Sequence, residues 1–105
     1  MRLDLQRIKE WIAYESRVLD LGCGDGQLLA QLGAEKQVQG LGVEIDNSYI
    51  LDCLRTGINV VEQDLNYGLA NFETNSFDMV VMSQALQTLR QPHLVIEEML
   101  RIGKE

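Results

Sequence analysis

Three carboxylates and a run of glycines are the residues of this chain best placed to do chemistry. Asp20-Leu21-Gly22-Cys23-Gly24-Asp25-Gly26 sets an acid and then three glycines at alternate positions, directly after the apolar Val18-Leu19. Glu44 follows 24 residues after Asp20, and Asp64 lies 20 residues beyond Glu44. Glycine lets a backbone come close to a ligand that side chains would hold away. Carboxylates accept hydrogen bonds from hydroxyl and amino groups and attract positive charge.

The glycine spacing narrows the ligand. Dinucleotide-binding turns read G-x-G-x-x-G and seat a pyrophosphate on a helix N-terminus, whereas here the pattern is Gly22-x-Gly24-x-Gly26. Asp20 and Asp25 flank the turn, and two carboxylates there repel a pyrophosphate but suit a ligand carrying an ammonium or a sulfonium. A nicotinamide dinucleotide is thus the weaker fit. Each acid also has a purely structural reading, as a helix cap or a turn former, and the glycines could serve only a tight bend.

The elements that must position these residues alternate along the chain. Leu5, Ile8, Trp11 and Ile12 share one face of an opening helix, with Arg7, Lys9 and Glu10 outside and Trp11 expected in the core. A strand over 18–21 runs into the glycine turn, and Gln27–Leu32 reads as a helix capped by Gly33. Residues 38–45 read as a second strand whose Gly40 and Gly42 imply close packing, and a helix from Asn47-Ser48 ends at Gly57. Ile58–Glu62 makes a third strand, 66–76 a loop with one turn of helix, and Phe77–Ser83 a fourth strand apolar on both faces. Pro92 falls in the first turn of a last helix carrying Leu94, Val95, Met99 and Ile102, while His93 is expected in solvent. Strand and helix in alternation imply an α/β fold with a parallel sheet and right-handed crossovers. Asp20, Glu44 and Asp64 then end three strands at one edge, where open sheets bind ligands.

Composition sets the outer limits. The 105 residues suffice for one domain, and a 46% hydrophobic content with a single Pro indicates a folded globule. Sixteen acidic against nine basic residues give a net charge of −7, which disfavours nucleic acid as a partner. No apolar run is long enough to span a bilayer and the N-terminus lacks a signal-peptide pattern, so the expected location is the cytoplasm. Cys23 and Cys53 have neither C-x-x-C spacing nor a nearby His, so neither a metal site nor a redox pair is indicated.

The turn Asp20–Gly26 matches the D/E-x-G-x-G-x-G motif of class I S-adenosylmethionine-dependent methyltransferases, which it resembles. That resemblance implies a Rossmann-like three-layer fold with strand order 3-2-1-4 and S-adenosylmethionine or S-adenosylhomocysteine as cofactor. It assigns Asp20 to the cofactor's amino group and Gly22, Cys23, Gly24 and Gly26 to the backbone that approaches its methionine part. Glu44 would accept the ribose hydroxyls, Ile45 would lie along the adenine, Asp64 and the Leu65 backbone would meet the adenine amino edge, and Ser83 would complete the site. Arg17–Gly26, Gly42-Val43-Glu44-Ile45-Asp46 and Ser83-Gln84-Ala85-Leu86-Gln87 together resemble the MetW family of methionine biosynthesis. That likeness implies a methyltransferase-like protein supporting homoserine O-acyltransferase, or alternatively an active methyltransferase on a small molecule. Members of that family continue beyond a stretch of this length, so the chain is expected to be roughly the N-terminal half of a single domain. Thr88 stands where related enzymes often carry a His, and the fourth strand is expected to offer an apolar edge for pairing with a second copy.

Overall fold

Val18, Leu19 and Leu21 leave the first strand with apolar side chains on both faces, a pattern stable only in the middle of a sheet. In the computed structural model, which describes Arg7, residues 9–82 and residues 89–104, that strand, β1 (Arg17–Leu21), is central. It pairs in parallel with β2 (Gln39–Glu44) and with β4 (Met79–Met82), and β2 pairs in parallel with β3 (Val60–Glu62). The sheet order is β3-β2-β1-β4, the order expected of the Rossmann-like reading. The crossovers contain α1 (Gln27–Lys36) and α2 (Asn47–Arg55), a single 3-10 turn spans Leu65–Tyr67, and α3 (Pro92–Ile102) follows β4.

Alternation along each strand divides the core into two layers. Leu19, Leu21, Val43 and Val80 point to the side covered by α3, where Phe77, Leu65, Leu69, Val95 and Ile102 complete the packing. Val18, together with Leu28, Leu29 and Leu32 of α1, Cys23 and Cys53, fills the opposite layer. On that side β2 presents Gly40 and Gly42 to Leu29 and Cys23. A Cβ at Gly42 would stand 2.4 Å from the Cys23 sulfur, so glycine is required for the turn to pack against β2.

Several local expectations need correction. Trp11 is 68% exposed while Lys9 is 8% exposed, the reverse of the predicted helix face. Ile12 sets the buried side, and the Lys9 ammonium reaches Gln31 at 3.0 Å and Glu35 at 3.2 Å on α1, so a charged side chain lies along the contact with its head paired. Gly33 does not cap α1, which runs on to Lys36 and ends at Gln37 in the left-handed region. The last turn is fastened from outside: the Lys36 ammonium donates to the carbonyls of Lys9 and Ile12. β3 is shorter than predicted, covering 60–62, and β4 begins at Met79 rather than Phe77, which forms an isolated bridge with Gly103. Pro92 does open α3 and His93 is exposed. Ser83, with the 84–87 stretch of the family resemblance and Thr88, lies outside the described residues.

Candidate functional site

The turn after β1 is built by glycines in the left-handed region: Gly22, Gly24 and Gly26 have φ of 72°, 60° and 83°. A side chain at any of them would be strained, which explains three glycines at alternate positions. The turn is also hydrogen-bonded to β2, with the N–H groups of Gly22 and Cys23 both donating to the Val43 carbonyl, at 2.8 and 3.1 Å. Gly26 is the N-cap of α1, and Asp25 accepts from the Gln27 N–H at 3.1 Å.

Glu44, the last residue of β2, joins this turn to its own strand. One carboxylate oxygen accepts from the Gly24 N–H at 2.8 Å, and the other from the N–H groups of Ile45 and Asp46, both at 3.1 Å. Asp46 caps α2, accepting from the Ser48 hydroxyl at 2.6 Å and from the backbone of Ser48 and Tyr49 at 2.9 and 3.3 Å. The Ser48 hydroxyl, and then those backbone donors, hold its carboxyl below the ordinary aspartate value. Asp64 caps the 3-10 turn through a 2.9 Å bond from the Asn66 N–H.

These pieces enclose a cleft of about 370 Å3 lined by Gly22, Val43, Glu44, Ile45, Asp46, Tyr49, Gln63, Asp64, Leu65, Asn66 and Leu89. That volume is near the lower end of the roughly 300–1,000 Å3 typical of small-molecule sites. A larger cavity of about 700 Å3 lies at the opposite, amino ends of the strands, against Arg17, Gln39 and Asn59. Open parallel sheets bind ligands at the carboxyl ends, and the carboxylates converge there, so the smaller cleft is the candidate site.

Of the ten residues proposed from sequence, Gly22, Glu44, Ile45, Asp64 and Leu65 line the cleft. Cys23, Gly24 and Gly26 lie in the turn beside it and Asp20 is fully buried in β1, paired in register with Gly42 and Val81. Ser83 falls outside the described residues. Sequence reasoning missed Val43, Asp46, Tyr49, Gln63, Asn66 and Leu89. Tyr49 had a signal, since the first turn of a helix starting at Asp46 faces the same edge as Glu44. Asn66 and Leu89 come from distant segments that meet because the Asn66 side chain accepts from the Arg90 N–H at 2.9 Å. Gln63 and Asn71 exchange two amide hydrogen bonds, at 2.9 and 3.0 Å, which fix the loop beyond β3.

Both cysteines, read as unrelated, meet under the turn with their sulfurs 3.9 Å apart, buried and as free thiols. Burial, with Cys53 and Asp20 adding to it, pushes the Cys23 thiol far above the ordinary cysteine range. Among the described residues no cluster of three or more His, Cys, Asp or Glu could hold a metal, and no helix is long and apolar enough to cross a membrane.

A parallel sheet of order 3-2-1-4, with a left-handed glycine turn after its first strand and acids ending the next two, is the arrangement of the class I methyltransferase-like fold. Comparison with known proteins agrees: residues 2–105 match the model of the family described as methionine biosynthesis protein MetW. The chain belongs to the MetW family. It is 37% identical over 112 residues to the bifunctional methionine biosynthesis protein MetXA/MetW of Rhodopirellula baltica, covering 99% of this chain and 18% of that protein. It is similar to a SAM-dependent methyltransferase from Archaeoglobus fulgidus, with 27% identity, a TM-score of 0.77, and coverage of 97% of this chain and 48% of that one. A SAM-dependent methyltransferase from Aquifex aeolicus shares the fold at 20% identity and a TM-score of 0.73, over 96% of this chain and 58% of that one. The chain therefore spans less than a fifth of the curated relative and about half of each of these structures.

Proposed function

We propose that the chain binds S-adenosylmethionine or S-adenosylhomocysteine across the glycine turn and the adjoining cleft, and serves methionine biosynthesis as a methyltransferase-like protein. The observation that carries this reading is the meeting of the glycine turn, Glu44 and Asp64 at one edge of the sheet, around a single cleft. The donor and acceptor chemistry fits the cofactor. The cleft's ionisable side chains are Glu44, Asp46, Asp64 and Tyr49, and its carboxylates suit a cationic, hydroxyl-bearing ligand.

Glu44 would take the ribose, with Ile45 against the adenine and Asp64 and Leu65 at the adenine's polar edge. A carboxylate has roughly four acceptor directions. Three backbone donors already occupy Glu44, so it accepts one ribose hydroxyl freely and the second by displacing a backbone donor. Asp20 would hold the amino group and the turn's backbone the methionine part; Ser83, outside the described residues, is assigned to the site by the family resemblance alone. When bound, S-adenosylmethionine would supply an electrophilic methyl group on its sulfonium sulfur, leaving S-adenosylhomocysteine once the methyl is transferred.

Titration calorimetry with S-adenosylmethionine, S-adenosylhomocysteine and NADH tests the reading. Saturable heat with the first two and none with NADH supports it, and no heat with either at millimolar ligand overturns it. The bifunctional name of the Rhodopirellula relative, with MetXA and MetW in one chain, supports homoserine O-acyltransferase as the partner whose work this protein assists. A pull-down with that enzyme that recovers no complex would remove this part. A second reading, methyl transfer to a small molecule, is favoured by the likeness to the Archaeoglobus methyltransferase. It predicts transfer of labelled methyl to a metabolite in cell extract. Pairing of two copies along β4, which ends the sheet beside β1 among the described residues, predicts a dimer by light scattering.

A further inference from the structure

The peptide groups on either side of Gly24 are held from two directions. Its N–H donates to Glu44 at 2.8 Å, while its carbonyl accepts from the Cys53 thiol at 3.3 Å and from the Cys23 thiol at 3.6 Å. Cys53 belongs to α2, is fully buried, and does not line the cleft. The sulfurs leave no slack around them. A Cβ at Gly26 would stand 3.0 Å from the Cys53 sulfur, and one at Gly42 would stand 2.4 Å from the Cys23 sulfur. A left-handed glycine has many conformations open to it, so something must select the one observed.

We propose that Cys53 is a positioning residue of the cofactor turn, its thiol fixing the Gly24 carbonyl so that Glu44 meets the Gly24 N–H before ligand arrives. This rests on the cofactor reading, because only a ligand on the turn benefits from its shape.

The test compares Cys53→Ala, which removes the donor, with Cys53→Ser, which shortens the side chain but keeps one. Cys53→Val fills the volume without a donor and takes the place of alanine should that variant not fold. Cys53→Ala is expected to weaken S-adenosylhomocysteine binding about three- to tenfold, the range of one lost hydrogen bond, and Cys53→Ser to recover most of it. The Asp25 amide nitrogen, which shares its peptide with the Gly24 carbonyl, is expected to shift in the alanine variant and return toward its original position in the serine variant. Equal weakening in both variants, or an unmoved Asp25 signal in Cys53→Ala, overturns the proposal. Should the unmodified chain bind no cofactor, the cofactor reading falls while the Asp25 signal still decides the role of Cys53.

Discussion

The two layers that close the sheet are built from different materials. Beneath α3, Leu19, Leu21, Val43, Phe77, Val80, Val95 and Ile102 meet as large apolar side chains. Beneath α1 and α2, β2 contributes two glycines, and thiols fill the space where the turn approaches it. The first layer stabilises by area removed from water, so it suffers most when atoms are taken away. The second holds backbone against backbone at the candidate site, so it suffers most when atoms are added. The close backbone packing behind the turn thus belongs to the α1 and α2 layer, while the cleft itself draws Val43 and Leu65 from the α3 layer.

Substitutions can break or sharpen that contrast. Leu21→Ala empties a fully buried position in the α3 layer and is expected to cost about 2–5 kcal/mol in urea unfolding. Gly42→Ala adds one methyl group against the Cys23 sulfur and Cβ, at 2.4 and 2.9 Å, and should cost about 1–3 kcal/mol. A neutral result for Gly42→Ala would erase the distinction between the layers. Gly33→Ala provides the control. It lies inside α1 with nothing within 4 Å of the added carbon, so it should stabilise by about 0.5–1 kcal/mol. The smallest effect belongs to the rim of the site. Asp46 has a depressed carboxyl in the folded chain, so its contribution is present above the ordinary value of 3.8 and is lost as pH falls below that toward the folded value. Asp46→Asn should therefore lower the melting temperature slightly at neutral pH and flatten its fall in that acidic range.

The same contrast explains what the sequence could reveal. β1, the glycine turn and the acids at Glu44 and Asp64 are legible because local pattern and backbone conformation dictate them, whereas the strand order came only with the resemblance to class I methyltransferases. Gly40 and Gly42 also announced close packing, although not the partners. What stayed hidden depends on contacts between distant segments. Trp11 and Lys9 exchanged faces because Gln31 and Glu35 offered the ammonium partners on α1. α1 outran Gly33 because Lys36 found carbonyls in the N-terminal segment. Cys23 and Cys53, 30 residues apart, met only because the turn and α2 fold onto the same spot. Leu89 reached the cleft because the N–H of its neighbour Arg90 donates to the Asn66 side chain, a bond that no spacing rule predicts.

The central claim, that the carboxyl edge rather than the larger cavity at the amino ends is the ligand site, is tested most directly by titrating S-adenosylhomocysteine into the 15N-labelled chain. Saturable amide shifts centred on Gly22, Gly24, Ile45, Asp46 and Leu65, with Arg17, Gln39 and Asn59 unmoved, are the result expected. Shifts centred on Arg17, Gln39 and Asn59, or no shifts at millimolar ligand, would contradict it.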